Sequence, residues 1–417
     1  MKTENRFDMK KLKFPFYYLL LVFATVFVLN SCDNKEPDPI KPANEYLVSA
    51  DVVATITGDQ AVGHFTKISP ESGPGISLLI RSDVEVRKVI YKTTFQNKGI
   101  LASGLVCLPK TPGNYPILSF QNGTNTLHSL APSVAVGDDL YSIIESIAAM
   151  NFIVVIPDYI GFGASSQLPH PYLDAKSSTQ SILDLIRAAK ELGNDDLVVS
   201  KPTNDLFIFG YSQGGWATLA LQKEIETNYA TEFNLKASSC GAGPYSVEYL
   251  NSSILSLPEY PTPYFLAYVL NSYKAIGSMS NPLTDFFNEP YATKIPGLFD
   301  GKHTGGAINA ELTSDLAELF TTEYRTTHET SASYSGLKSV LKANSIVAWN
   351  ISTPTRLFHG DLDEVIPYPM SEKMLADFKL KGVPDSKIKL VKISGAGHTS
   401  GVYEAGLQTI IWFVGLK

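Results

Sequence analysis

FGYSQGGWATLA, residues 209–220, sets an aliphatic hydroxyl, Ser212, between glycines at the point where a strand-like apolar run becomes a helical pattern. The run before it, NDLFIFGYS (204–212), has no polar alternation, and the helical pattern after it covers QGGWATLALQKEIE (213–226). A continuous apolar strand is what a parallel sheet buried on both faces requires. The same rhythm extends in both directions: strand YPILSFQ (115–121), helix DDLYSIIESIAAM (138–150), strand NFIVVIPD (151–158), helix STQSILDLIRAAKEL (178–192) and, after the elbow, strand LKASSCGAG (235–243). Alternating strands and helices of this kind predict an α/β fold with a mostly parallel central sheet and helices on both faces.

Upstream, SDVEVRKVIYKTTF alternates apolar and polar residues and GILASGLVCLP follows it, which predicts an antiparallel pair at a sheet edge. Residues 48–82 carry no clear pattern. From Pro244 to Ser352 the alternation stops and aromatics crowd in, among them Tyr260, Tyr264, Tyr268, Phe286, Phe287 and Phe299; two helical segments are expected near 309–325 and 335–349. Core packing of the segment itself and the lining of a partly apolar pocket explain these aromatics equally well. The sheet rhythm then resumes with TRLFHG (355–360), helix 370–382, strand SKIKLVKIS (386–394) and helix 404–416. The expected organisation is a core over 48–243 and 353–417, interrupted by a largely helical cap inserted at 244–352.

The first 31 residues stand apart. Lys10, Lys11 and Lys13 precede an uncharged apolar run from Phe14 to Leu29, the layout of an export signal, and the run is short for a membrane-spanning helix, which needs ~20 apolar residues. Leu29-Asn30-Ser31-Cys32 resembles a bacterial lipobox, which implies cleavage before Cys32 and its lipidation; the polar, Pro-rich residues to 47 read as a flexible tether. The expectation is an exported chain held by Cys32 on a bacterial envelope membrane, the outer membrane foremost. Removing residues 1–31 takes five Lys/Arg and two Asp/Glu and moves the net charge from −7 to −10, which argues against nucleic acid as a partner. Cys107 and Cys240 lie in strand-like apolar contexts and read as buried thiols rather than a disulfide. No Cys or His pair has the spacing of a zinc site, and no cofactor is implied.

Gly210-Tyr211-Ser212-Gln213-Gly214-Gly215 fits G-x-S-x-G, the strained strand-to-helix turn that projects a nucleophilic serine. A side chain at Gly210 or Gly214 would collide with neighbouring backbone as the chain turns. The bland alternative, a helix N-cap serine, accounts less well for glycines on both sides. Serine needs a base, itself oriented by a carboxylate. The α/β-hydrolase order of serine, acid, histidine directs attention to His303, His328, His359 and His398. His398, in SGAGHTSG, follows the last strand and is the expected base; His359 ends the preceding strand and reads as structural, and His303 and His328 fall in the cap. HGDLDEVIPY offers Asp361, Asp363 and Glu364 as acids. It resembles the hydrolase G-x-x-D-x-x-V-P pattern without keeping its spacing, and that resemblance points to Asp363; Asp361 is the first alternative acid and would otherwise cap the turn. The N–H of Gln213 is one expected oxyanion donor. The other comes from QNGTNT after strand 115–121, where Thr124 is expected and Gly123 or Asn122 are alternatives.

Taken in order, VIYKTTFQNKGILASGLVCLPK, SFQNGTNT, PDYIGFGAS, HPYLDAKSSTQSILDLIRAAK and GYSQGG resemble the secretory lipase-type α/β-hydrolases. The likeness covers most of the chain from residue 83 and weakens through the cap. It implies the α/β-hydrolase fold, an acyl-enzyme on Ser212 and carboxylic esters as substrates, for which the expected surface location makes glycan-linked esters as plausible as small molecules; it also implies that the loop Asp158–Gly163 lines the site, although Asp158 itself reads as a turn cap. Two rivals are a serine peptidase of the prolyl oligopeptidase type, for whose N-terminal propeller the chain lacks room, and a non-catalytic binding lipoprotein on the same scaffold.

Overall fold

The computed structural model describes residues 43–70 and 73–417. The expected signal, Cys32 and most of the expected tether lie outside the described residues. Nine strands form one sheet: β1 (Leu47–Ile56), β2 (Val84–Phe95), β3 (Lys98–Pro109), β4 (Gly113–Gln121), β5 (Ile153–Pro157), β6 (Ser200–Tyr211), β7 (Asn234–Gly241), β8 (Thr355–Gly360) and β9 (Ile388–Ile393). Their order is β1-β2-β3-β5-β4-β6-β7-β8-β9. The first three strands run antiparallel to their neighbours, and β5, β4, β6, β7, β8 and β9 are mutually parallel.

The parallel strands look apolar throughout because both of their faces are covered. Phe207 and Phe209 of β6, with Leu118, Phe120, Val154 and Ile156, join one buried layer with Phe65, Ile143, Ile410 and Phe413. Leu206 and Ile208, with Ile117, Ile153 and Val155, face the opposite layer, built on Ile182, Leu185, Trp216 and Leu219. The helices supplying the first layer are α1 (Gly58–Ile68), α3 (Asp139–Ser146) and the C-terminal helix; α2 (Gly73–Ser77) is a single short turn after α1. The second layer comes from α4 (Ala175–Leu192) and α5 (Gln213–Asn228). Cys107 and Cys240 are both buried and free, and burial pushes the Cys240 thiol up to about 12.

Between β7 and β8 the chain runs through α6 (Val247–Leu255), α7 (Tyr264–Ala275), α8 (Tyr291–Leu298), α9 (Gly305–Ala310), α10 (Leu316–Leu319), α11 (Thr322–Thr327) and α12 (Ser335–Ala343). Most of the aromatics here serve packing: Tyr260, Tyr273, Phe286 and Phe287 are buried and continue the layer under α4 and α5. The helix expected at 309–325 is broken. Asp315 Oδ1 accepts from the N–H groups of Ala317 and Glu318, and Thr321 Oγ1 accepts from Tyr324, so each starts a new helix inside an apparently continuous pattern. The helix expected at 335–349 ends at Ala343, after which the Ile346 N–H donates to Tyr245 O (2.7 Å).

The remaining differences lie at the sheet's ends. The predicted antiparallel pair is present as β2 and β3, but β1 forms the outer edge. The last residues of the expected tether are held: Glu191 accepts from the backbone N–H groups of Glu45, Tyr46 and Leu47. After β8 come α13 (Pro369–Leu380), β9 and α14 (His398–Val414), which begins six residues before the expected 404. Among the described residues no helix is long and apolar enough to cross a membrane.

The sheet register fixes the geography of the site. Gln121 pairs with Gly210, Tyr211 with Gly241, Gly241 with Phe358, and Gly360 with Ile393. The carboxyl ends of β4, β6, β8 and β9 therefore lie along one rim, and the segments that follow each of them emerge side by side. Ligand sites in open α/β sheets form at that rim.

Candidate active site

Ser212 links β6 to α5 with φ 59° and ψ −124°, a backbone state that a residue with a side chain adopts only when its surroundings impose it. The glycines permit this turn. A Cβ at Gly210 would lie 2.3 Å from Gly214 O, one at Gly214 1.9 Å from Gln121 O, and one at Gly215 2.1 Å from Gly241 O. Tight packing of the α5 N-terminus against the ends of β4 and β7 thus depends on all three. Ser212 occupies the N-cap position of α5, but its side chain makes no capping hydrogen bond. The hydroxyl instead reaches His398, with Oγ 2.9 Å from Nε2.

His398 opens α14 rather than sitting in a loop. Its Nδ1 is 2.7 Å from Asp363 Oδ2, so a proton on Nδ1 donates to the carboxylate and leaves Nε2 to accept from the serine. Asp363 Oδ1 accepts from the backbone N–H groups of Val365 (2.9 Å) and Ile366 (2.8 Å). Burial pushes the Asp363 carboxyl up, but the hydrogen bonds and charge of His359 and His398 outweigh it and hold the group well below the usual range. The carboxylate therefore stays ionised beside the imidazole at neutral pH.

The other candidates are engaged elsewhere. Asp361 Oδ1 accepts from Gly395 N–H (2.6 Å) and its Oδ2 pairs with Lys392 at 3.2 Å, binding the β8 and β9 loops together. Glu364 Oε2 accepts from the backbone N–H of His398 (3.1 Å). His303 pairs with Asp300 (2.9 Å) and His328 Nε2 lies 3.1 Å from Ser252 Oγ. His359 is buried against Asp363, a contact that its reading as a structural residue did not foresee.

On the opposite side of Ser212 runs the segment after β4. A Cβ at Gly123 would lie 3.9 Å from Ser212 Cβ, so this backbone passes directly beside the hydroxyl. Among the described residues the N–H groups of Gln213 and Thr124 donate to no protein acceptor. Their surroundings hold both backbones still. Thr124 Oγ1 is 2.8 Å from Tyr172 OH, Tyr159 OH donates to Asn122 O (3.2 Å), Tyr268 OH donates to Asn125 O (3.3 Å), and Thr126 Oγ1 donates to His303 O (2.7 Å). Tyr172 stacks on Tyr268 at 4.3 Å and Tyr268 on Phe299 at 4.5 Å, so α7 and the turn after α8 buttress this loop. The Gln213 side-chain Nε2–H donates to His170 Nε2 (3.1 Å), while His170 Nδ1–H donates to Ile160 O (2.7 Å). Burial holds His170 down at about 4, which keeps the ring neutral and Nε2 an acceptor.

Asp158 is structural. Its buried carboxylate accepts from Ser133 N–H (2.8 Å), Ser133 Oγ (2.6 Å) and Ser103 Oγ, tying the end of β5 to β3 and to the segment after β4. Sequence reasoning passed over His170, Tyr172 and Tyr260. Tyr260 OH donates to Val365 O (3.0 Å), so the segment between β7 and β8 grips the acid loop as well. No local signal links His170 to residue 213.

The arrangement is a hydroxyl, an imidazole and a carboxylate in one hydrogen-bonded line. Such a set suits acyl transfer. The sequence model of the secretory lipase family matches residues 126–414. Among solved structures, a Legionella pneumophila protein described as a hydrolase superposes with a TM-score of 0.80 at 25% identity, covering 89% of this chain and 98% of its own. The rice cell wall degrading esterase LipA from Xanthomonas oryzae superposes with a TM-score of 0.74 at 23% identity, over 89% of this chain and 97% of its own. Candida antarctica lipase A in its closed state gives 0.64 at 20% identity, over 89% and 82%. The last two likenesses bear on the fold. No curated protein matches the sequence.

Proposed function

Because this chain belongs to the secretory lipase family, whose members are lipase- and esterase-type α/β-hydrolases, we propose that it cleaves carboxylic esters through an acyl-enzyme on Ser212. The observation that carries this reading is the unbroken line from Ser212 Oγ to His398 Nε2 (2.9 Å) and from His398 Nδ1 to Asp363 Oδ2 (2.7 Å). His398 takes the serine proton as Oγ attacks the ester carbonyl, and Asp363 stabilises the imidazolium that forms. The N–H groups of Gln213 and Thr124 receive the negative charge on the carbonyl oxygen, each worth ~3–4 kcal/mol in the transition state. The protonated His398 then gives its proton to the departing alkoxide. Water, deprotonated by the same ring, attacks the acyl-enzyme, and the acid leaves.

The family's description supports export. With residues 1–31 removed and Cys32 lipidated, the enzyme would act from an envelope membrane on small or glycan-linked esters outside it.

The test is turnover of a panel of p-nitrophenyl acyl esters and of a proline anilide by the purified chain and by Ser212→Ala. Ester turnover that falls by several orders of magnitude in the variant supports the reading. Anilide turnover exceeding ester turnover would make the protein a peptidase, and equal turnover by the variant would remove Ser212 from the chemistry.

A further inference from the structure

The carboxylate of Asp363 is shared. Its side chain is fully buried, so water cannot serve its lone pairs and every donor must come from the protein. Oδ1 has two, the N–H groups of Val365 and Ile366. Oδ2 faces His398 Nδ1 at 2.7 Å and, on its other side, His359 Nε2 at 3.3 Å. His359 is itself fully buried at the second last residue of β8, four positions before the acid.

The chemistry around His359 fixes where its proton sits. Nε2 carries a hydrogen that it donates to Ile366 O (2.9 Å), while Asp363 Oδ2 stands beside it at the longer distance of 3.3 Å. Nδ1 lies 2.7 Å from Ser371 Oγ, a hydroxyl on α13 able to donate to it. A proton on Nε2 then satisfies both of the ring's hydrogen bonds. The same Ile366 peptide both receives from His359 and gives to Asp363, so ring, peptide and carboxylate close into one set around the acid.

We infer that His359 is a positioning residue for the reaction: its Nε2–H anchors the Ile366 peptide, whose own N–H holds Asp363 Oδ1, and the N–H edge of the ring, 3.3 Å from Oδ2, offsets part of that oxygen's charge and so limits how strongly the carboxylate draws on His398. The inference rests on the acyl-enzyme reading of Ser212. Without His359, Asp363 Oδ2 would face His398 alone, and the Ile366 peptide that holds Oδ1 would lose its anchor. Two consequences follow: a stronger pull on the protonated ring of His398, and a less fixed geometry. Other ionisable groups around this cluster are Glu364 on the acid loop, Tyr211 with its ring 5.4 Å from that of His398, Tyr260 from the segment between β7 and β8, and Tyr368 with its ring 5.5 Å from that of His359.

The experiment compares His359→Leu and His359→Gln with the wild type in the pH dependence of kcat/KM on a p-nitrophenyl ester, after labelling of Ser212 by a fluorophosphonate has been confirmed in the wild type. His359→Leu is expected to lose about 10-fold in kcat with KM nearly unchanged. Its acidic limb should move to higher pH by roughly half a unit, because the protonated base is better stabilised. His359→Gln, whose amide N–H can replace the ring donor, should recover most of both. An unchanged limb in His359→Leu, or an activity loss that follows only its loss of thermal stability, overturns the inference while leaving the labelled serine in place. An unlabelled wild type would instead overturn the acyl-enzyme reading. If His359→Leu does not fold, ¹⁵N-histidine spectra of the wild type decide, with the His359 resonance identified by its absence in His359→Gln. A neutral ring protonated on Nε2 at pH 7 supports the inference; a ring protonated on Nδ1 alone contradicts it.

Discussion

Gly214→Ala is the substitution in which the packing of the elbow should most directly become a rate. The added Cβ would sit 1.9 Å from Gln121 O, 2.7 Å from Gln121 C and 2.9 Å from Asn122 O, all of them backbone atoms. Ordinary contact begins near 3.4 Å, so the α5 N-terminus and the end of β4 must part by about 1.5 Å, and neither side has a flexible side chain that can yield. Overpacking of this kind costs roughly 1–3 kcal/mol of stability. The kinetic cost should be larger, because the two backbones being separated carry the proposed oxyanion donors, Gln213 on one and Thr124 on the other. A displacement of about 1 Å in a catalytic group is worth ~100-fold in rate, and loss of one donor ~100- to 1,000-fold. The assay is kcat on p-nitrophenyl butyrate with the melting temperature measured in parallel, and Gly123→Ala as the control. At Gly123 a Cβ meets only Tyr211 O at 3.6 Å and Ser212 Cβ at 3.9 Å, so that variant should fold as the wild type does. A folded Gly214→Ala with kcat within threefold of wild type would refute the argument that these glycines set the spacing of the donors.

Three other outcomes can be checked separately. Asp363 is held below the usual carboxylate range in the folded state, so its contribution to stability is complete above its unfolded value near 3.8 and is lost as pH falls below that; Asp363→Asn should flatten the acid side of the melting curve and reduce kcat by several orders of magnitude. Glu145 behaves oppositely: burial raises it to about 7, so ionising it costs stability as pH rises from about 4.5 to 7, and Glu145→Gln should melt a few degrees higher than wild type at pH 8 but not at pH 4. Cys32→Ser, expressed in a bacterium with lipoprotein processing, should move the protein from the membrane fraction to the soluble one and abolish labelling by a palmitate analogue.

How much of this was legible in the sequence depended on whether the cause was local. The parallel sheet was visible because strands such as 206–211 are buried on both faces, which leaves an uninterrupted apolar run. The elbow was visible because glycine at 210, 214 and 215 is a steric demand written into adjacent positions. β1 was hidden: residues 47–56 form an edge strand, half exposed, whose pairing with β2 is decided by chain 28 to 44 residues away. The false continuous helix at 309–325 came from reading periodicity through Asp315 and Thr321, whose side chains start new helices there. His398 was found by its place after the last strand, yet its position as the first residue of α14 was not, since SGAGHTSG reads as loop until Glu364 is known to face its N–H. His359, His170 and Tyr260 show the limit most clearly. Each acts through a partner brought near by the sheet register or by the segment between β7 and β8, and nothing beside them in the chain announces it.

The most direct test of the central claim is mass spectrometry of the purified protein after exposure to a fluorophosphonate, with the adduct mapped by proteolysis. One adduct per chain, on Ser212, and none on a folded His398→Ala variant over the same interval, is the predicted result. An adduct on any other residue, or equal labelling without the imidazole, would contradict it.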